Sequence, residues 1–506
     1  MARTCVTALA AGALAACTSA PTARSLAEEA LAAMGGADRV RAVQTVQMKD
    51  GTGTRYRLGQ TVTIGDAESP ATLTNVTETY DFAGGRASLD YRISTATGFT
   101  QHRHEVLARR DGRGVGLEYV AGRPLAVMSP AGLFSWGTQN SPEIALRRQP
   151  IAILLAAAES TSNQRAQDRN LDGRTYRFAT VTLGPGDTAG LYFDPDSRLL
   201  AAFETTDTET ILGDVPALYL LGDYRDVGGV RLPHRIVIRK AGQPYSEVQF
   251  ASASIDDPAA LKVFDIPSEA GPDINRAVAV GDYSPVALTP VARGVHFARA
   301  YSHHSLVVEF PSFLAVVEAP YTEAQSRTLA RLLASTFSGK PIRYIVPTHH
   351  HYDHIGGLRG LAAEGGTVLV EKGHEVAIRS VLDASHSNPP DELERRRRAG
   401  RTVANVEVFN GRHTIAEGDQ RLDLHAIAGS PHADPMVVAY TPAGRVLFQS
   451  DLYVPGVGAP AGPEAVHLLQ SVRRLNLRVE TNVGGHGGIA PFAELVKAVA
   501  AAAGTN

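Results

Sequence analysis

A chain of 506 residues is long enough for two or three domains with ample core. It is 44% hydrophobic and 20% charged, which suits a folded globular protein and not a disordered one. The formal net charge of -3 supplies no electrostatic case for a nucleic-acid partner.

The chain opens Met1-Ala2-Arg3-Thr4, followed by an apolar run from Cys5 to Ala16. One positive charge before a short hydrophobic stretch reads as an export signal. The run is too short to cross a bilayer, which takes about 20 apolar residues. It ends Leu14-Ala15-Ala16-Cys17, which resembles the lipobox of bacterial lipoproteins. Cleavage before Cys17 leaves a lipidated cysteine, so residues 1–24 are expected to be signal and tether. The expectation is an exported protein, periplasmic or anchored in the outer membrane, whose only membrane contact is the lipid on Cys17. Plain secretion, with cleavage at a nearby Ala, is the alternative. The two cysteines are Cys5 and Cys17, so no cysteine remains to ligate a metal in the body of the chain.

Residues 25–270 are expected to form a first, β-rich domain. Ser25-Leu26-Ala27-Glu28 is a capping-box pattern, and Gly35-Gly36 stops the helix it starts. A second short helix is expected over Ala37 to Val43. The pattern then changes to period two. Thr45 to Leu58, Gln60 to Ile64, Ala71 to Phe82 and Arg86 to Thr95 read as strands. His102 and His104 alternate to one face of a further strand and read as surface residues. Pro142 to Ser160 reads as helical, with a break at Pro150. Six more strands are expected between Arg174 and Ile255. Leu191-Tyr192-Phe193-Asp194-Pro195 and Asp223 to Pro233 resemble periplasmic proteins of the lipoprotein-carrier type. That resemblance implies an antiparallel β half-barrel around helices, with an apolar cavity.

Ser268 to Pro290 is aperiodic and contains Pro and Gly; the linker is expected at 271–290 and the second domain at 291–506. That domain opens on two apolar runs, Ser305 to Phe310 and Phe313 to Glu318. An amphipathic helix from Thr322 to Thr336 follows, capped by Thr322-x-x-Gln325. Ile342-Arg343-Tyr344-Ile345-Val346 is a short, β-branched run that reads as a buried strand. Directly after it comes Pro347-Thr348-His349-His350-His351-Tyr352-Asp353-His354-Ile355-Gly356-Gly357. Imidazoles and a carboxylate within six residues, on a loop between strand and helix, are the donors that zinc takes. Later stretches add His432 in Gly429-Ser430-Pro431-His432, Asp451 in Gln449-Ser450-Asp451, and His486 in Gly484-Gly485-His486-Gly487. Five histidines and two carboxylates suffice for two divalent ions with positions left open for water. His303-His304 read either as substrate contacts or as surface residues. Arg395 to Arg398 reads as a solvated helix face, with a charged lid as the sharper alternative.

The order of these motifs resembles the metallo-β-lactamase superfamily. The resemblance implies an α+β chain whose C-terminal domain is an αββα sandwich, preceded by the mainly antiparallel β domain. It implies one site of His349, His351 and His432, a second of Asp353, His354 and His486, and Asp451 bridging both. It also implies Asp353 as the catalytic group that orients or deprotonates the attacking water. The family's Asp usually follows a Gly; here Ser450 takes that place. Two zinc ions are the expected cofactor, with iron as the alternative.

The expected activity is hydrolysis of an ester, lactone, thioester or amide bond in a small molecule. A β-lactamase-like hydrolase is one alternative, although an Asp at position 451 leans away from the true β-lactamases. An iron persulfide dioxygenase-like oxidoreductase is another. A ligand-binding lipoprotein with a vestigial metal site is the third. The sequence does not choose an oligomeric state.

Overall fold

The structure, a computed structural model, describes residues 20–56, 58–95, 100–107, 109–110, 113–114, 117–120, 123–125, 142–161, 164–184, 186–265, 286–300, 303–387, 390–458 and 460–504. The stretch expected to be an export signal, Cys17 and most of the expected linker lie outside these residues. No described helix is long and apolar enough to cross a membrane.

The period-two patterning of the first half folds into one large antiparallel sheet, with 14 strands among the described residues. Its strands run mostly in hairpin order, but the first and the late strands are also joined. Thr45–Tyr56 pairs with Pro70–Asp81 on one side and with Gln243–Gln249 on the other, in the register Thr52 to Gln249 and Arg55 to Ser246. The helices Ala23–Ala33 and Pro150–Ala158 bury Leu26, Leu31, Ile153 and Leu154 against Leu191, Leu200 and Val230 of this sheet. Pro150 breaks the helical stretch as expected: one helix ends at Arg147 and the next starts at Pro150, where a missing N–H costs nothing.

Four local expectations need correction. The first helix starts at Ala23, not Ser25, because Thr22 is its cap. The Ser25 N–H donates to the Thr22 hydroxyl while the Thr22 N–H donates to the Ser25 hydroxyl. His104 is buried, with Nε2 3.0 Å from the Ser88 hydroxyl, so it belongs to the interior and not to the surface. Pro290 does not close a linker. It lies in the edge strand Ala287–Ala292, opposite His296, where a residue without an N–H is tolerated. Finally, Gln60 to Ile64 is no strand. It sits in a loop between Thr45–Tyr56 and Pro70–Asp81, and two of its polar backbone groups bond the other domain.

The second half is an αββα sandwich with three apolar layers. A seven-stranded sheet covers 287–409 and a six-stranded sheet covers 412–491. Between the sheets lie Leu306, Val308, Val317 and Leu369, facing Leu424, Val437, Ala439 and Phe448. Alternate residues of the same strands, Val307, Val316 and Val368, point outward and are covered by Leu329 and Leu333 of the helix Glu323–Thr336 and by Leu358 and Leu361. The six-stranded sheet is covered by Pro463–Arg474 and Ala493–Ala503 through Leu468, Leu469 and Leu495. Strands apolar on both faces are what such a sandwich requires. Thr322 caps its helix by accepting from the Gln325 N–H, as the sequence predicts.

Arg395 to Arg398 form the last turn of the helix Glu392–Arg398. Arg395, Arg396 and Arg398 pair with Glu392 or Glu394 of the same helix, and Arg397 donates to the Leu382 carbonyl. The run is a paired, solvated face.

Candidate metal centre

The strand Ile342–Val346 lies between two parallel neighbours, Leu314–Val317 and Thr367–Glu371. At its C-terminal end the chain leaves the sheet, and His351 caps a one-turn helix, Tyr352–Ile355. His349 therefore projects from the bend after the strand, His351 from extended backbone, and Asp353 and His354 from the first turn. Gly356 is required behind them, because a Cβ there would fall 2.1 Å from the Tyr321 carbonyl oxygen. The six-stranded sheet delivers the rest from its own strand ends. His432 precedes Met436–Thr441, Asp451 follows Val446–Gln449, and His486 joins Thr481–Gly484 to Ile489–Pro491.

All seven residues singled out in the sequence converge. Donor atoms of His349, His351, His432 and Asp451 lie within 4.8 Å of one another. Those of Asp353, His354 and His486 form a second such group, joined by His303. Asp451 faces both. Its Oδ2 is 2.7 Å from His432 Nε2 and 3.9 Å from His349 Nε2, while its Oδ1 is 2.9 Å from His354 Nε2 and 3.1 Å from His486 Nε2. His303 Nε2 sits 3.2 Å from Asp353 Oδ2, and its ring centre is 3.8 Å from that of His486.

Several rings are held from behind. The Thr348 hydroxyl is 3.0 Å from His349 Nδ1 and donates to Glu318 Oε1 at 2.5 Å. Glu318 Oε2 is 3.1 Å and the Ser450 hydroxyl 2.9 Å from His354 Nδ1. His351 Nε2 is 3.0 Å from the Thr61 carbonyl oxygen. A hydrogen bond on one ring nitrogen fixes the tautomer and aims the other nitrogen. The nitrogens so aimed are Nε2 of His349 and Nδ1 of His351, buried and without a hydrogen bond, and Nε2 of His354, which with Nε2 of His432 meets Asp451. Two orphaned imidazole nitrogens, beside a carboxylate shared with three further rings, fit divalent cations, and the clusters could hold them.

The electrostatics divide the histidines. Burial, then the neighbouring His354 and His351 rings, drive His349 well below its usual range. Burial and His432 push His351 down to about 3. Both are thus neutral, the form that ligates. His354 behaves oppositely. Burial opposes its charge, but Asp451, Glu318 and Asp353 outweigh burial and raise it. Asp451 is held well below the carboxylate range because His354 and His486 outweigh its burial. A cluster with negative charge in a buried pocket favours a proton or a cation at His354.

Residues 298–486 match the family model described as the Metallo-beta-lactamase superfamily. The C-terminal domain is a metallo-β-lactamase superfamily domain. A relative named Ribonuclease Z, from Methanopyrus kandleri, is 26% identical over 192 residues, covering 33% of this chain. The match spans 64% of that relative's length, less than two thirds. Among solved structures, a metallo-beta-lactamase from Pontibacter korlensis is 19% identical, covering 43% of this chain and 98% of that one, with a TM-score of 0.32. A metallo beta lactamase from Hirschia baltica is 18% identical, covering 43% and 97%, with a TM-score of 0.33. Domains of this superfamily are generally metal-dependent hydrolases.

Four functional contacts escaped the sequence. Glu318 ends an apolar strand and carries no motif; its φ of 69°, a left-handed conformation uncommon in a non-glycine residue, was the only local peculiarity and is visible only in three dimensions. Ser450 was noted as a departure, yet its hydroxyl contacts His354. Gln60 and Thr61 lie far away in the chain and within a stretch that reads as a strand.

Proposed function

We propose that the protein is an exported hydrolase that uses two zinc ions to cleave an ester, lactone, thioester or amide bond of a small molecule. The observation that carries this reading is the split of Asp451, one oxygen toward His349 and His432, the other toward His354 and His486. A carboxylate so placed would be shared between two ions. On this reading His349, His351 and His432 hold one ion, and Asp353, His354 and His486 hold the other.

When bound, such ions would supply an acidified water and a Lewis acid for the oxygen of the scissile bond. The chain's own groups do the rest. Asp353, whose Oδ2 lies among His303, His354 and His486, would orient the attacking water or accept its proton. His303, neutral because burial pushes it down to about 3, steadies that oxygen. Thr348, Glu318 and Ser450 keep the rings aimed. The side chains of His432 and His486 are 26% and 28% exposed, whereas those of His349 and His354 are fully covered. Substrate therefore enters across His432 and His486.

The relative named Ribonuclease Z favours a second reading, phosphodiester cleavage by the same machinery. The net charge of -3 supports a small substrate over a nucleic acid. Anchoring outside the cytoplasm through a lipid on Cys17 completes the proposal.

The test is elemental analysis of protein that starts after Cys17, followed by turnover assays on lactones, thioesters, β-lactams and phosphodiesters. Two zincs per chain with carbonyl-bond hydrolysis supports the reading. One iron with oxygen uptake replaces it with dioxygenase chemistry. No metal after zinc is supplied overturns it.

A further inference from the structure

The loop that the sequence presents as a strand, Gln60 to Ile64, belongs to the first domain but ends in the metal cleft of the second. Three of its contacts cross between domains. The Gln60 side-chain amide donates to Asp353 Oδ1 at 2.7 Å. The Thr61 carbonyl oxygen accepts from His351 Nε2 at 3.0 Å. The Val62 carbonyl oxygen accepts from the Asp434 N–H at 2.9 Å, two residues after His432.

The loop is itself held in place. The Gly59 N–H donates to Glu68 Oε1 at 2.5 Å across its base, and Asp66 N–H donates to the Thr63 carbonyl at 3.1 Å within it. Ile211 packs beside Gly59 and is buried among apolar residues of the second domain, including Ile378 and Leu382. Next to it the Asp214 carboxylate accepts from the Ser387 N–H at 2.8 Å and the Ser385 hydroxyl at 3.1 Å. The two domains are thus docked close to the loop.

We infer that this loop is a working part of the metal centre, with Gln60 as a positioning residue. The inference rests on the proposed metal reading. Each candidate ion has one ligand steered from the first domain. Thr61 fixes the His351 tautomer so that Nδ1, buried and without a hydrogen bond, faces His349 and His432. Gln60 takes the outer oxygen of Asp353 and leaves Oδ2 for the second cluster. Removing partners of this kind costs about 10–100-fold in metal affinity. The first domain therefore tunes the second ion through Gln60, and an isolated C-terminal domain lacks both contacts.

The test compares the full chain with Gln60→Ala, Gln60→Glu and, as a control in the same loop, Asp66→Ala, whose side chain is exposed. Stepwise zinc affinities are read by competition with a chromophoric chelator, and the cobalt-loaded proteins are compared by visible absorption. The expected result is a loss of about tenfold in one binding step for Gln60→Ala, with the other step unchanged. Gln60→Glu, which sets a carboxylate against Asp353, loses more. The cobalt spectrum shifts in both, and Asp66→Ala matches the parent. Unchanged affinities and spectra in both Gln60 variants overturn the inference while leaving the metal reading intact. A parent protein that takes up no metal overturns both.

Discussion

Glu318 and His354 are both completely buried, with Glu318 Oε2 3.1 Å from His354 Nδ1. The same carboxylate receives the Thr348 hydroxyl on its other oxygen. One acidic side chain beneath the loop thereby orients one histidine directly and, through Thr348, a second. Glu318→Gln keeps the shape and removes the charge. It is expected to lower zinc affinity about 10–100-fold with the fold retained, read by chelator competition beside far-UV circular dichroism.

His351 and Asp353 sit in different clusters, so their loss is expected to act on different ions. His351→Ala or Asp353→Ala should each reduce turnover by at least about a hundredfold while the chain still folds. Metal content should fall in each variant. Full turnover in the double variant would sink the assignment of these ligands.

Away from the cleft, Arg359 is the largest fully buried side chain among the described residues. Its Nη2 donates to Asp391 Oδ1 at 3.1 Å, and its Nη1 donates to the carbonyls of Val381, Leu382 and Ala384. Asp391 also caps its helix by accepting from the Glu394 N–H. Arg359→Ala leaves that carboxylate buried without its guanidinium and takes a donor from three carbonyls, of which Leu382 keeps Arg397. The expected loss is about 3–5 kcal/mol, measured by denaturant unfolding.

In the first domain, burial pushes Glu78 up to about 7, against the opposing pull of Tyr80 and Arg55. Its folded value lies above its unfolded one, so the native state favours the protonated form. The stability it contributes is complete below about 4.5 and is lost as pH rises through about 7. The parent should therefore melt lower at pH 8 than at pH 5 by more than Glu78→Gln does, a difference on the order of 1 kcal/mol. Equal pH slopes in the two proteins would remove Glu78 as the cause.

The candidate ligand set was legible because its members are local or strongly marked. His349 to His354 span six residues, and His432, Asp451 and His486 each stand at a strand end among small or turn-forming residues. Strand periodicity was legible for the same reason, since alternation is a property of neighbouring residues. The misreading of Gln60 to Ile64 shows the limit. Gln-Thr-Val-Thr-Ile alternates like a strand, but its backbone groups found partners on His351 and Asp434 instead of a neighbouring strand.

By itself the sequence determined two halves of different texture, most of their strands, and seven candidate metal donors. Those properties are written in short windows of residues. Only the tertiary structure decided that Thr45–Tyr56 pairs with Gln243–Gln249, that His303 stands against His486, and that Glu318, Gln60 and Thr61 contact His354, Asp353 and His351. These contacts join residues tens to hundreds of positions apart, and each side chain is ordinary in its own neighbourhood. Their roles come from which hydrogen-bonding groups are left to satisfy one another once the apolar layers have closed.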